Sequence, residues 1–365
     1  MSELQLRGLV KRRGGRRVVD EVSLDVAAGE LVAILGPSGS GKTTALRLIC
    51  GLELLDAGSI ELGGRDITRL PSRRRNLGLV FQEYGLYPGM SVWGNLAYGL
   101  QARGVPAGEV RRRVSGAADR LGLGDKLGLP PGELSGGEQQ RVALGRVLVK
   151  DADAYLFDEP LSNLDPHLRL SARRHIRAMH REKGRPTVYV THDQAEAFAL
   201  ADRVAVVNDG RVQQVGTPDQ LLRSPANAFV AAFVGAPPWN LVAGTLAGDT
   251  VRIGDTWLAL PPDCYRRPVA VPDGPVTVGI LPSAMRLAGS DGRLAGSVER
   301  VDALLDETVL TVAVGGVGRV AVVAPGDAAD GLVPREPVRL GVDPAGVRLF
   351  DRHTGWAVDD MGACR

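Results

Sequence analysis

Residues 29–52 read GELVAILGPSGSGKTTALRLICGL, and this stretch decides the fold. GELVAILG (29–36) is a near-continuous apolar run ending at glycine, the pattern of a fully buried strand. KTTALRLICGL repeats its apolar residues with a helical period. Strand, glycine-rich loop and helix in that order predict a parallel sheet covered on both faces. The loop, Gly36-Pro37-Ser38-Gly39-Ser40-Gly41-Lys42-Thr43-Thr44, fits the phosphate-loop pattern G-x-x-x-x-G-K-[ST]. Its glycines let backbone N–H groups converge on an anion, and the following helix adds its positive N-terminal end. Lys42 is then expected to supply a point charge to the β- and γ-phosphates of a nucleotide, and the Thr43 hydroxyl can ligate Mg²⁺.

Outward from this stretch, NLGLVF (76–81), DAYLFD (153–158), PTVYVTH (186–192) and RVAVVNDG (203–210) read as further strands, with helical segments such as AEAFALA (195–201) between them. That alternation predicts an α/β domain over residues 1–234. Strand signals fade from about residue 90 to 150, so a helical insertion is expected there. After FVAAFV (229–234) comes GAPP (235–238), a boundary signal. From 235 to 365 short β-type runs are separated by Gly, Pro and Asp every 8–12 residues, which predicts a small all-β barrel or sandwich.

The 365 residues include 44% hydrophobic and 24% charged, an ordinary globular balance that excludes wholesale disorder. No apolar run reaches the roughly 18 residues a spanning helix needs. The first residues hold no apolar segment before a small-residue cleavage site, so a cytosolic protein is expected. Three cysteines (Cys50, Cys264 and Cys364) are too few and too scattered for a disulfide framework or a zinc site, and read as free thiols. Of the 44 basic residues only five are lysine. Arginine clusters at 73–75 and 111–113 suggest nucleic acid, but the net charge is only +2. Residues 235–365 are net acidic and poor in aromatics, which argues against a nucleic-acid partner.

Two further constellations carry chemistry. Asp158 and Glu159 follow an apolar strand, where burying a carboxylate needs a reason. Asp158 suits a Mg²⁺ role and Glu159 polarisation of an attacking water. Ser135-Gly136-Gly137 opens the helical run EQQRVALGRVLV, a second anion-binding helix N-terminus in the same chain.

With Leu134-Ser135-Gly136-Gly137-Glu138-Gln139 between the phosphate loop and the carboxylate pair, the chain resembles the ATP-binding cassette (ABC) family, over its whole length. The resemblance implies an α/β P-loop NTPase with a RecA-like core, a helical subdomain and a C-terminal OB-like (TOBE) domain. It implies ATP and Mg²⁺ as ligands, Gln82 as the glutamine reaching Mg²⁺ and the attacking water, Asp165 as the D-loop aspartate, and His192 as the switch histidine gripping the γ-phosphate. It also implies two cassettes docked head to tail, a homodimer, each ATP lying between the Lys42 loop of one and Ser135, Gly136, Gly137, Glu138 and Gln139 of the other.

The finer resemblance is to ATPases of maltose and glycerol-3-phosphate importers, carried by QEYGLYPGMSV (82–92) and by the run from His192 to Asn240. It implies two integral membrane subunits contacting the 82–99 region, an extracytoplasmic solute-binding protein acting indirectly, and a place at the cytoplasmic face of the membrane. The expected cargo is a sugar or sugar derivative. Import of a polyamine, glycerol phosphate or metal stays open, as does a soluble ATPase acting on nucleic acid or ribosomes. Two positions depart from the pattern. Arg13 stands where the family stacks an aromatic on adenine, so that either its guanidinium stacks on the base or it is one more surface arginine. Leu281, in Gly279-Ile280-Leu281-Pro282, stands where the group has an arginine.

Overall fold

The computed structural model describes residues 3–358 apart from 163, 261–272, 290–291, 305 and 330. Cys264 and Cys364 lie outside the described residues. The chain divides into two compact units, residues 1–215 and 216–365. The expected boundary at 234–235 falls inside the second unit.

In chain order the first unit runs β1 (Leu4–Arg13), β2 (Arg16–Val26), β3 (Leu31–Leu35), α1 (Lys42–Cys50), β4 (Ala57–Leu62), β5 (Arg65–Asp66), β6 (Leu77–Val80), α2 (Val92–Gln101), α3 (Ala107–Leu121), α4 (Gly136–Leu148), β7 (Ala154–Asp158), α5 (Pro166–Lys183), β8 (Thr187–Thr191), α6 (Gln194–Leu200), β9 (Arg203–Asn208) and β10 (Arg211–Gly216). A six-stranded sheet has the order β10-β9-β3-β8-β7-β6, and its pairs from β9 to β6 are parallel. Every residue of β3, β7 and β8 is buried, as a parallel sheet covered on both faces requires.

Because strand side chains alternate, the same three strands feed two cores. Val32, Ile34, Leu156, Val188 and Val190 pack with α1 and with β1, β2 and β4. Leu31, Tyr155, Phe157 and Tyr189 pack on the other face with α4 and α5. A third core, around Leu96, Val114 and Val142, joins α2, α3 and α4 within the span where helices are expected. The four-stranded sheet β2-β1-β4-β5 is not among the strands that the apolar runs predict. Its signal is a fainter period-2 alternation, in which Leu4, Leu6, Val22, Leu24 and Val26 are buried and the residues between them are not.

The second unit begins with α7 (Pro218–Arg223) and α8 (Ala228–Phe233). Among the described residues ten strands follow: β11 (Asn240–Ala247), β12 (Thr250–Ile253), β13 (Thr256–Ala259), β14 (Gly274–Ile280), β15 (Met285–Ala288), β16 (Leu294–Ala303), β17 (Glu307–Val314), β18 (Gly318–Pro325), β19 (Pro337–Val342) and β20 (Val347–Asp351). They form two five-stranded sheets, β13-β12-β11-β14-β20 and β15-β19-β16-β17-β18, sharing one core that includes Leu246, Val278, Leu310, Val322 and Leu340. Leu281 packs beside Trp239 and Phe350, an apolar seat that suits leucine better than a charged side chain.

Candidate functional site

The parallel register places the carboxyl ends of β3, β6, β7 and β8 side by side, where open α/β sheets bind their ligands. The 36–44 loop leaves β3, Gln82 follows β6, Asp158 and Glu159 end β7, and His192 follows β8. The phosphate loop is held tightly by its own backbone. Gly41 adopts φ 98° in front of α1, and a Cβ there would meet the Val18 carbonyl oxygen at 2.3 Å, so only glycine fits. Lys42 is buried and donates to the carbonyls of Gly36 and Pro37, each at 2.9 Å. Burial lowers its pKa, while Glu159 and Asp158 favour the charged form. The buried Ser40 hydroxyl has no hydrogen-bond partner, an orphaned polar group in a loop shaped for an anion.

Thr43 Oγ1 donates to Asp158 Oδ1 at 3.1 Å, which ties the phosphate-loop helix to the end of β7. Burial raises the Asp158 pKa and the Thr43 hydrogen bond opposes that shift. Glu159 has φ 43°, a left-handed backbone that costs a non-glycine residue of order 1 kcal/mol. Its Oε2 lies 3.0 Å from His192 Nδ1. A carboxylate only accepts, so Nδ1 is the donor. The structure thus brings Lys42, Thr43, Asp158, Glu159 and His192 into one linked cluster.

Ser135 stands apart from that cluster. Its hydroxyl and backbone N–H both donate to Glu138 Oε2 at 2.8 Å, and its Oγ accepts from Glu138 N, completing a capping box on α4. Those bonds, led by the backbone N–H, hold the Glu138 pKa below the ordinary carboxylate value. Gln139 Nε2 donates to the carbonyls of Pro131 and Leu134. Ser135 and Gly136 are exposed. A Cβ on Gly137 would lie 2.6 Å from Leu168 Cδ1, so that glycine lets α4 close on α5. Asp165 caps α5, accepting from Leu168 N at 3.0 Å. Arg13, at the end of β1, pairs with Glu53.

The 82–99 region sorts its large side chains by burial. Tyr84 belongs to the core beneath α4, Leu86 and Trp93 are partly buried, and Phe81, Tyr87 and Tyr98 are exposed. Tyr87 packs edge-on against Tyr98, with Arg146 over its ring at 4.7 Å. Arg112 and Arg113 bond Glu109, and Arg113 also reaches Asp151.

Arg75 is 3% exposed and is a residue that sequence reasoning misses. Its guanidinium donates to the carbonyls of Leu48, Ile49, Thr68 and Leu70 at 2.7–2.8 Å. Leu48 and Ile49 lie in the last turn of α1, so Arg75 caps the negative end of the phosphate-loop helix. Inside a run of three arginines nothing distinguishes it.

A buried lysine in a phosphate loop, a hydroxyl–carboxylate pair and a glutamate–histidine pair at adjacent strand ends define a P-loop nucleotide-triphosphate hydrolase. Residues 19–162 match the ABC transporter family model and residues 278–350 that of the TOBE domain. The chain is 40% identical over 357 residues to the sulfoquinovosyl glycerol transport ATP-binding protein SmoE of Agrobacterium fabrum, covering 97% of this chain and 99% of that one. It is 41% identical over 362 residues to the sn-glycerol-3-phosphate import ATP-binding protein UgpC 2 of Rhizobium johnstonii, covering 98% and 100%. Among solved structures it resembles the dimeric post-hydrolysis state of the ATP-binding cassette MJ0796 bound to ADP and Pi, with TM-score 0.53 and 28% identity over 59% of this chain and 98% of that one. The chain belongs to the ATP-binding subunits of ABC transporters, an ABC ATPase domain followed by a TOBE domain.

Proposed function

We propose that this chain hydrolyses ATP to energise import of a sugar or sugar derivative through separate membrane subunits, working as a homodimer at the cytoplasmic face of the membrane. The observation that carries the reading is the linked cluster from Lys42 to His192, together with a second, exposed anion-binding helix end at Ser135. Among the described residues no hydrogen bond joins Ser135 to the phosphate loop, which supports its use by a second copy docked head to tail. In this reading the Lys42 loop, from Gly36 to Thr44, holds the phosphates of one ATP, and the partner copy's signature segment, with Asp165 beside it, encloses them. Glu159 accepts a proton from water as the water oxygen attacks the γ-phosphorus. The bond to the β–γ bridging oxygen breaks, releasing ADP and phosphate. His192, oriented by Glu159, holds the γ-phosphate.

The Thr43 hydroxyl, the Asp158 carboxylate and the Gln82 amide are hard oxygen donors that suit Mg²⁺. When bound, the ion would supply charge neutralisation for the phosphates. Residues 1–234 carry this work, and 235–365 are assigned to regulation. Phe81, Tyr87 and Tyr98 offer an exposed aromatic surface to two membrane subunits, and through them to a solute-binding protein outside. Among the described residues no helix is long and apolar enough to cross a membrane, in keeping with a peripheral subunit. The names of the relatives support a sugar or glycerol-phosphate cargo over a polyamine or a metal.

The test is reconstitution with the membrane subunits that co-purify with the chain and with a solute-binding protein. ATPase activity is expected to rise severalfold with a sugar-loaded binding protein. Stimulation only by a polyamine or a metal removes the sugar assignment, and co-purification with ribosomes or nucleic acid instead of membrane subunits removes the importer reading. Arg13→Ala is expected to raise the KM for ATP about threefold, the loss of one modest cation–π contact. Ion pairing through one nitrogen leaves the guanidinium face open to a base. An unchanged KM leaves Arg13 as the partner of Glu53 alone.

A further inference from the structure

The contact between His192 and Glu159 cannot fix the switch loop by itself. The His192 side chain is 53% exposed, and a pair open to solvent on one side holds an imidazole only weakly. Yet Thr191, on one side of His192, is bonded to a buried carboxyl group beneath it, and Asp193, on the other side, is bonded to Thr191. Thr191 Oγ1 donates to Glu196 Oε2 at 3.0 Å and accepts from the Asp193 N–H at 3.0 Å. Tyr189 Oη donates to the same Glu196 oxygen at 2.9 Å, and Asp193 Oδ1 accepts from Glu196 N at 3.0 Å. Tyr189, Thr191 and Glu196 are all at most 4% exposed.

Arg169 closes the arrangement from the other side. It lies 3.8 Å from Asp193 and donates to the carbonyls of Leu164 and Ser162. Arg169, Thr191, Asp193 and Glu196, with Glu159 and His192, line one cavity of about 20 Å³. A buried carboxyl group with no cation bonded to it is costly. An apolar residue would fill the space at less cost but could not accept two hydroxyl hydrogen bonds.

We propose that Glu196 is a positioning residue that, through Thr191 and Asp193, holds His192 against Glu159 for hydrolysis. This rests on the ATPase reading above. His192 adds one contact to an ATP already held by the whole Lys42 loop, so the effect should fall mainly on kcat and change KM little.

The experiment measures kcat and KM for ATP, with thermal unfolding, on the full chain and five variants. Glu196→Ala and Thr191→Val are each expected to lower kcat about tenfold, with KM within about twofold; misplacing a catalytic group by an ångström costs up to about a hundredfold. Glu196→Gln, whose amide oxygen can accept both hydroxyls, should keep at least half of kcat. Tyr189→Phe removes an equally buried hydrogen bond that touches neither neighbour of His192, and should leave kcat within twofold. Native kcat in Glu196→Ala and Thr191→Val, failure of Glu196→Gln to rescue, or a parallel rise in KM overturns the proposal while wild-type hydrolysis still stands. If Glu196→Ala fails to fold, Thr191→Val against Tyr189→Phe decides alone. A wild-type rate no higher than that of Glu159→Gln overturns the ATPase reading and the proposal with it.

Discussion

Glu159→Gln is expected to bind ATP with a KM within about threefold of the native value and to lose hydrolysis by roughly 10²–10⁴, the range for removing a general base. Glutamine keeps the shape of glutamate and can still accept from His192 Nδ1, which lies 3.0 Å from Glu159 Oε2. What it cannot do is take a proton from water. The variant should therefore stop with ATP bound, and a chain that closes head to tail around ATP should run at twice its monomer mass on size exclusion with ATP and Mg²⁺. Hydrolysis at the native rate would remove Glu159 from the role of base. Slow hydrolysis without a dimer would keep the base but count against enclosure of ATP by a second copy.

Arg75→Met is expected to be the most damaging single change to stability among the residues considered. Methionine fills much of the same volume but leaves the carbonyls of Ile49, Thr68 and Leu70 without their donor, and Leu48 with only the Gly51 N–H. Three buried carbonyls left unpaired, at about 1–3 kcal/mol each, cost about 3–5 kcal/mol once the surroundings relax. For a unit of this size that corresponds to a fall in Tm of about 10 °C, read by thermal unfolding of the full chain. Arg75→Lys should fall between, since an ammonium has three donors and no planar fork. A loss under about 3 °C in the methionine variant would show that water takes over these carbonyls.

Much of the fold was legible in one dimension. A buried parallel strand must be apolar throughout, so GELVAILG, DAYLFD and PTVYVTH announce themselves. β1 and β2 were harder to find, because a sheet buried on one face shows only alternation, and their charged positions blur it. In the tail, turn spacing revealed an all-β domain without assigning every strand.

The candidate site divides in the same way. Lys42, Thr43, Asp158, Glu159 and His192 were legible because each sits in a motif whose chemistry admits few substitutes. Arg75 and Glu196 were not, because a buried arginine and a buried glutamate are written in the same letters as surface ones, and only burial separates them from Arg73 or Glu83. Tyr84 shows the converse, since its aromatic neighbourhood suggests a docking surface while its own side chain lies in the core.

By itself the sequence determined the phosphate loop, the order of the motifs and the α/β-then-β layout, since local pattern and residue chemistry are properties of the chain. Only the tertiary structure decided which arginine caps α1, which aromatics face outward, and which buried carboxyl group underlies His192. Those are matters of which distant segments meet, and what water can no longer reach once they do.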